Sequence, residues 1–158
     1  MDFFSKLFGL HDNDEEASFV IKWADNRAKL LNKSNEINPL NLFTIIMIGV
    51  SNFSRTAKEI YPASSGLEKH FSLEPYSEDS SLFEIGCYTY FRVDLWLFKN
   101  RPELRNHISQ TFVREFVNLF AQALNMPDIG DVFNSRLEIY GNLARRGAEV
   151  KEFINYLS

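Results

Sequence analysis

Leu104, Ile108, Phe112, Phe116, Phe120 and Leu124 recur at steps of four along a stretch opened by Pro102 and closed by Pro127. Midway between them stand Asn106, Gln110, Arg114, Asn118 and Gln122. In a strand the two sets would share one face. In a helix a two-residue step turns through about 200°, so the sets face opposite ways. The spacing therefore predicts a two-sided helix over 102–125. Such a helix must bury its apolar side against other elements, and helices are the elements that the rest of the chain offers.

Residues 2–9 place Phe3, Phe4, Leu7 and Phe8 on one side of a short helix that Gly9 ends, followed by a polar connector. A second helix is expected from about Asp14 to Lys33, with Asn13 as its cap and Glu16 completing a capping box. A third is expected from Pro39 to Tyr61, with Asn38 as its cap and Pro62 as its stop. Residues 62–80, broken by Pro62, Gly66 and Pro75, predict an irregular loop. A fourth helix covers about 80–99, capped by Asp79 or Ser80. Apolar residues surround it on every side, which predicts a central, buried element. The tail over about 129–157 suits one or two helices with a break at Gly147. At 158 residues the chain fits one domain. The expected fold is an all-α, compact, single-domain bundle of five to seven helices packed around the helix at about 80–99.

Composition narrows the function. Net charge is −4 with the acidic excess in the first half, so no basic footprint for nucleic acid is present. No apolar run approaches the ~20 residues that a membrane span needs, and the start of the chain does not read as a signal peptide. The lone Cys87 permits no disulfide within the chain, in keeping with a cytoplasmic protein. It lies in an apolar run and reads as a buried, inert thiol. His11, His70 and His107 lack the spacing of metal ligands, so no metal site is expected. No serine elbow or phosphate-binding glycine loop is present, and no cofactor is expected.

One constellation carries chemistry. Glu84, Tyr88 and Arg92 stand at four-residue steps on the fourth helix, with Asp94 about 80° away around its axis. Charges on a buried helix need partners. The first reading is therefore a structural network, Glu84 with Arg92 or Asp94 with an arginine. The second is a polar patch in an aromatic, ligand-binding pocket, and the last is simple solvent exposure; as a function, an enzyme using an acid–base pair among Glu84, Tyr88 and Asp94 ranks third. Arg101 and Arg105 flank the start of the fifth helix as candidate anion ligands. Gly49, Gly86 and Gly141 interrupt helical patterns, where close helix packing is the leading reason and room for a ligand the second. Phe3, Phe4, Leu7 and Phe8 could touch a membrane surface, a weaker reading than docking onto the core or a second subunit.

The leading functional expectation is a non-catalytic protein–protein interaction or adaptor module, acting as a homo-oligomer. The alternative is a carrier or sensor of a small apolar ligand, held in an aromatic pocket between helices.

Overall fold

The expected helices appear in a computed structural model, which describes residues 18–31, 38–60 and 78–147, the side chains of 57–60 excepted. The short helix at 2–9, most of the loop expected at 62–80 and the tail beyond 147 lie outside the described residues, and the last three residues of that loop, Glu78 to Ser80, are helical instead. Within them, 90% of residues are helical and no strand occurs. The helices are α1 (Phe19–Leu31), α2 (Pro39–Ile60), α3 (Glu78–Asn100), α4 (Pro102–Ala123) and α5 (Ile129–Arg145). They form an all-α bundle.

The helix starts show how local chemistry sets the boundaries. Asn38 caps α2 as expected: its Oδ1 accepts from the Asn41 N–H at 2.9 Å, with Pro39 in the first helical position. Among the described residues the first helix runs from Phe19, capped by Ser18, while the expected start near Asp14 with Asn13 and Glu16 lies outside them. The Ser18 hydroxyl accepts from the Ile21 N–H at 3.0 Å. The carboxylate of Asp79 accepts from the N–H groups of Phe19 and Val20 at 3.1 and 3.0 Å. Asp79 itself lies in the first turn of α3, which starts at Glu78, slightly before the expected position. One carboxylate therefore stands at the positive ends of two helices and ties them together. At the other end of the chain, Gly147 takes φ 69° where α5 stops, a conformation that glycine adopts without strain.

Both α3 and α4 pack against every other described helix. Phe112 and Phe116 of α4 are buried while Arg114 and Asn118 are exposed, as the four-step spacing requires. Phe116 is the hub: its ring centroid lies 5.5 Å from that of Phe83, 5.4 Å from Phe112, 4.7 Å from Phe120 and 5.1 Å from Phe133. The ring can come this close to α3 because residue 86 is glycine. A Cβ there would collide with Cε2 of Phe116 and stand 2.9 Å from its Cζ. Close packing thus accounts for Gly86. Gly49 and Gly141 have nothing within 4 Å of a notional Cβ, so the same reason does not extend to them.

Along α3 the expectation of central burial holds for one half. Leu82, Phe83, Glu84, Gly86, Cys87 and Tyr90 are buried. Toward the C-terminal end Arg92, Trp96 and Phe98 are exposed, with only Leu97 still buried. The other described helices cover the first half of α3 on more sides than they cover its end.

Candidate functional site

The constellation at 84–94 resolves into two separate ion pairs. Glu84 is 1% exposed. It faces α5, where Nε of Arg136 donates to its two carboxylate oxygens at 2.8 and 3.0 Å, and Nη2 of Arg136 lies 2.8 Å from Oε1. This two-pronged geometry offsets the cost of burying both charges. The expected Glu84–Arg92 pairing does not form. Eight residues separate them, about 12 Å along the axis, and Arg92 points to solvent. Its Nη1 instead donates to the Tyr88 hydroxyl at 3.1 Å, and its guanidinium lies 6.0 Å from the centre of the Tyr88 ring. Tyr88 is half-buried, its ring edge-on to that of Tyr140 at 5.7 Å.

Asp94 takes part in the second pair, which joins α3 to α4. Arg105 donates to it through Nε at 2.9 Å and Nη2 at 2.7 Å, and the Ser109 hydroxyl donates at 2.9 Å. These bonds to Asp94 raise the pKa of Arg105 above the usual guanidinium range. Beside them burial raises the pKa of Tyr90, against a hydrogen bond with Ser109 that lowers it. Arg101 donates to Glu103 through Nε at 2.5 Å, and that bond holds the exposed Glu103 carboxyl below its ordinary range. Both candidate anion ligands, Arg101 and Arg105, are thus engaged by carboxylates of the chain itself, and an incoming anion would compete with those partners.

The site residues accordingly do three different things. Glu84 locks α3 to α5, Asp94 and Arg105 lock α3 to α4, and Tyr88 with Arg92 forms a half-exposed pair on the outer side of α3. The partner that sequence reasoning missed is Arg136. Its position carried a signal: Phe133, Arg136, Leu137 and Tyr140 follow helical spacing, which sets Arg136 within an apolar stripe. Among the described residues no group of three His, Cys, Asp or Glu side chains could hold a metal ion.

Cys87 is buried one turn from Glu84. Burial pushes its thiol pKa well above the ordinary value, and the Glu84 charge adds to that. The reactive species is the thiolate. The folded protein is therefore expected to resist a disulfide reagent at about pH 8, where an unhindered thiol reacts readily. Full reactivity should appear only on unfolding in urea. Rapid stoichiometric reaction of the native protein would contradict the buried placement.

Outside these pairs the surface carries large apolar side chains. Ile45 and Phe53 on α2 are 55% and 61% exposed, and Trp96 and Phe98 at the end of α3 are 56% and 58% exposed. Comparison with known proteins found no matching family model, no similar curated protein and no similar solved structure.

Proposed function

We propose that the protein is a non-catalytic interaction module that self-associates through the outer face of α2. The observation that carries this reading is the chemistry of that face. Ile45, Gly49, Asn52, Phe53 and Thr56 lie exposed along it, and no charged residue occurs from Pro39 to Ser54. An outward helix face without charge is unusual for a surface that meets only water, and such apolar patches mark protein contacts. Gly49 supports the reading. A glycine inside a helix costs about 1 kcal/mol against alanine, and no contact within the described residues accounts for it. At the centre of an exposed face it lets a second helix approach closely. A second copy of the same face meets no like-charge repulsion there, and pairing about Gly49 sets Phe53 of one copy near Ile45 of the other. The alternative, a carrier of an apolar ligand, would need room among rings that instead contact one another.

Sedimentation equilibrium tests the reading. Wild type is expected to show a mass above the 18.4 kDa of one chain, rising with concentration. Phe53→Glu should return it to a monomer while leaving its circular dichroism unchanged. A wild type that stays monomeric into the high micromolar range would overturn the proposal.

A further inference from the structure

Helix α1 is held by less than its neighbours. It is the shortest helix among the described residues, at 13 residues. Its buried side chains are Val20, Ile21 and Ala24, all in its first two turns. Each of the other four described helices buries a phenylalanine: Phe43 on α2, Phe83 on α3, Phe112 on α4 and Phe133 on α5. From Asp25 onward no residue of α1 is buried. The ion pair of Asp25 with Arg55 on that half is exposed, and exposed pairs add little. Trp23 meets the Phe43 ring at 5.6 Å yet stays half-buried.

What fastens α1 lies at its start. A helix start leaves N–H groups without acceptors inside the helix. In α1 three of them find side chains. Ile21 donates to the Ser18 hydroxyl, which belongs to the same stretch of chain and moves with it. Phe19 and Val20 donate to the two oxygens of Asp79, which belongs to α3. The negative charge of Asp79 also suits the positive end of the α1 dipole. One carboxylate of the bundle thus grips the same two turns that carry the burial of α1.

We propose that α1 is a flap that opens as a unit while the other four described helices stay folded, and that Asp79 is its latch. Local opening is set by how much apolar surface a segment buries, and α1 gives up two branched side chains and an alanine. Its release leaves the rings around Phe116 in place, because none of them belongs to α1. Opening lifts Trp23 from Phe43 and brings Val20, Ile21 and Ala24 to the surface. The flap therefore controls access to apolar surface that the closed bundle hides. The inference is independent of the α2 outer face.

Native-state hydrogen exchange of the full chain in mild urea tests the proposal. In the wild type the amides of Ala24, Arg27 and Ala28 should exchange much faster than those of Phe116, Leu119 and Phe120. They should also depend less on urea, because opening one helix exposes less surface than unfolding the whole. Two variants separate the latch from the core. Asp79→Asn keeps the shape and removes the charge. It should speed exchange of the α1 amides by roughly five- to tenfold, the equivalent of a lost helix cap. Phe133→Leu weakens the core on α5, which stays packed when the flap opens. It should speed the α4 amides severalfold and leave the α1 amides as they are. If α1 and α4 amides share one rate and one urea dependence in the wild type, the flap does not exist; that comparison needs no variant. Phe133→Leu speeding both sets alike, or Asp79→Asn leaving α1 unchanged, would equally overturn the proposal.

Discussion

Arg136→Met is expected to destabilise the fold by about 3–5 kcal/mol in urea unfolding, the usual cost of breaking a buried ion pair by removing one partner. The reason is the carboxylate left behind. Glu84 is 1% exposed, and Arg136 engages both of its oxygens. Methionine matches much of the arginine stem in volume, so the loss reports the unpaired charge rather than a cavity. The double variant Glu84→Met/Arg136→Met separates the two effects. With both charges gone the interface between α3 and α5 becomes apolar, and replacing a buried pair in this way is often neutral or stabilising. Its stability should therefore lie within about 1 kcal/mol of wild type or above it. If Arg136→Met alone costs under about 1 kcal/mol, the pair is not a structural lock, because surface-like pairs contribute that little.

The same pair shows where the sequence is legible and where it is not. The helices at Pro39–Ile60 and Pro102–Ala123 follow from local signals: a proline and an unbroken period in both, and a cap, Asn38, for the first. That Glu84 needs a cation was also readable, since it sits on an apolar helix. Which cation required three dimensions. Arg136 is 52 residues away, and only its place in an apolar stripe marks it as inward-facing. Asp79 is harder still. It reads as a cap for its own helix, but its carboxylate serves the start of α1, 60 and 59 residues distant. No local spacing encodes that. The end of α3 misled for a different reason. Trp96 and Phe98 look like core because they are large and apolar, yet burial depends on what packs beside them. The period of one helix says nothing about where its neighbours stop. Exposed Ile45 and Phe53 on α2, which carry the functional proposal, are of this kind.

Phe116→Ala should cost about 3–5 kcal/mol, the range for emptying a core phenylalanine site. Phe116 is 0% exposed, and its ring meets four other aromatic rings, so little can collapse into the space. Gly86→Ala approaches the same contact from the opposite side. Helix propensity alone would favour alanine by about 1 kcal/mol. The added Cβ, however, would fall on the edge of the Phe116 ring, with Cζ at 2.9 Å. Moving that ring disturbs every ring around it, and overpacking of this sort costs typically about 1–3 kcal/mol. The net sign of Gly86→Ala is therefore expected to be destabilising, against its propensity. In the Phe116→Ala background the clash is gone and the new methyl group enters vacated space. Gly86→Ala should then be neutral or stabilising. A double-mutant cycle should report a coupling of about 1–3 kcal/mol between the two sites, as for residues in direct contact. Additive losses would mean that the glycine is not there for the phenylalanine, and the reason for it would have to be sought elsewhere on α3.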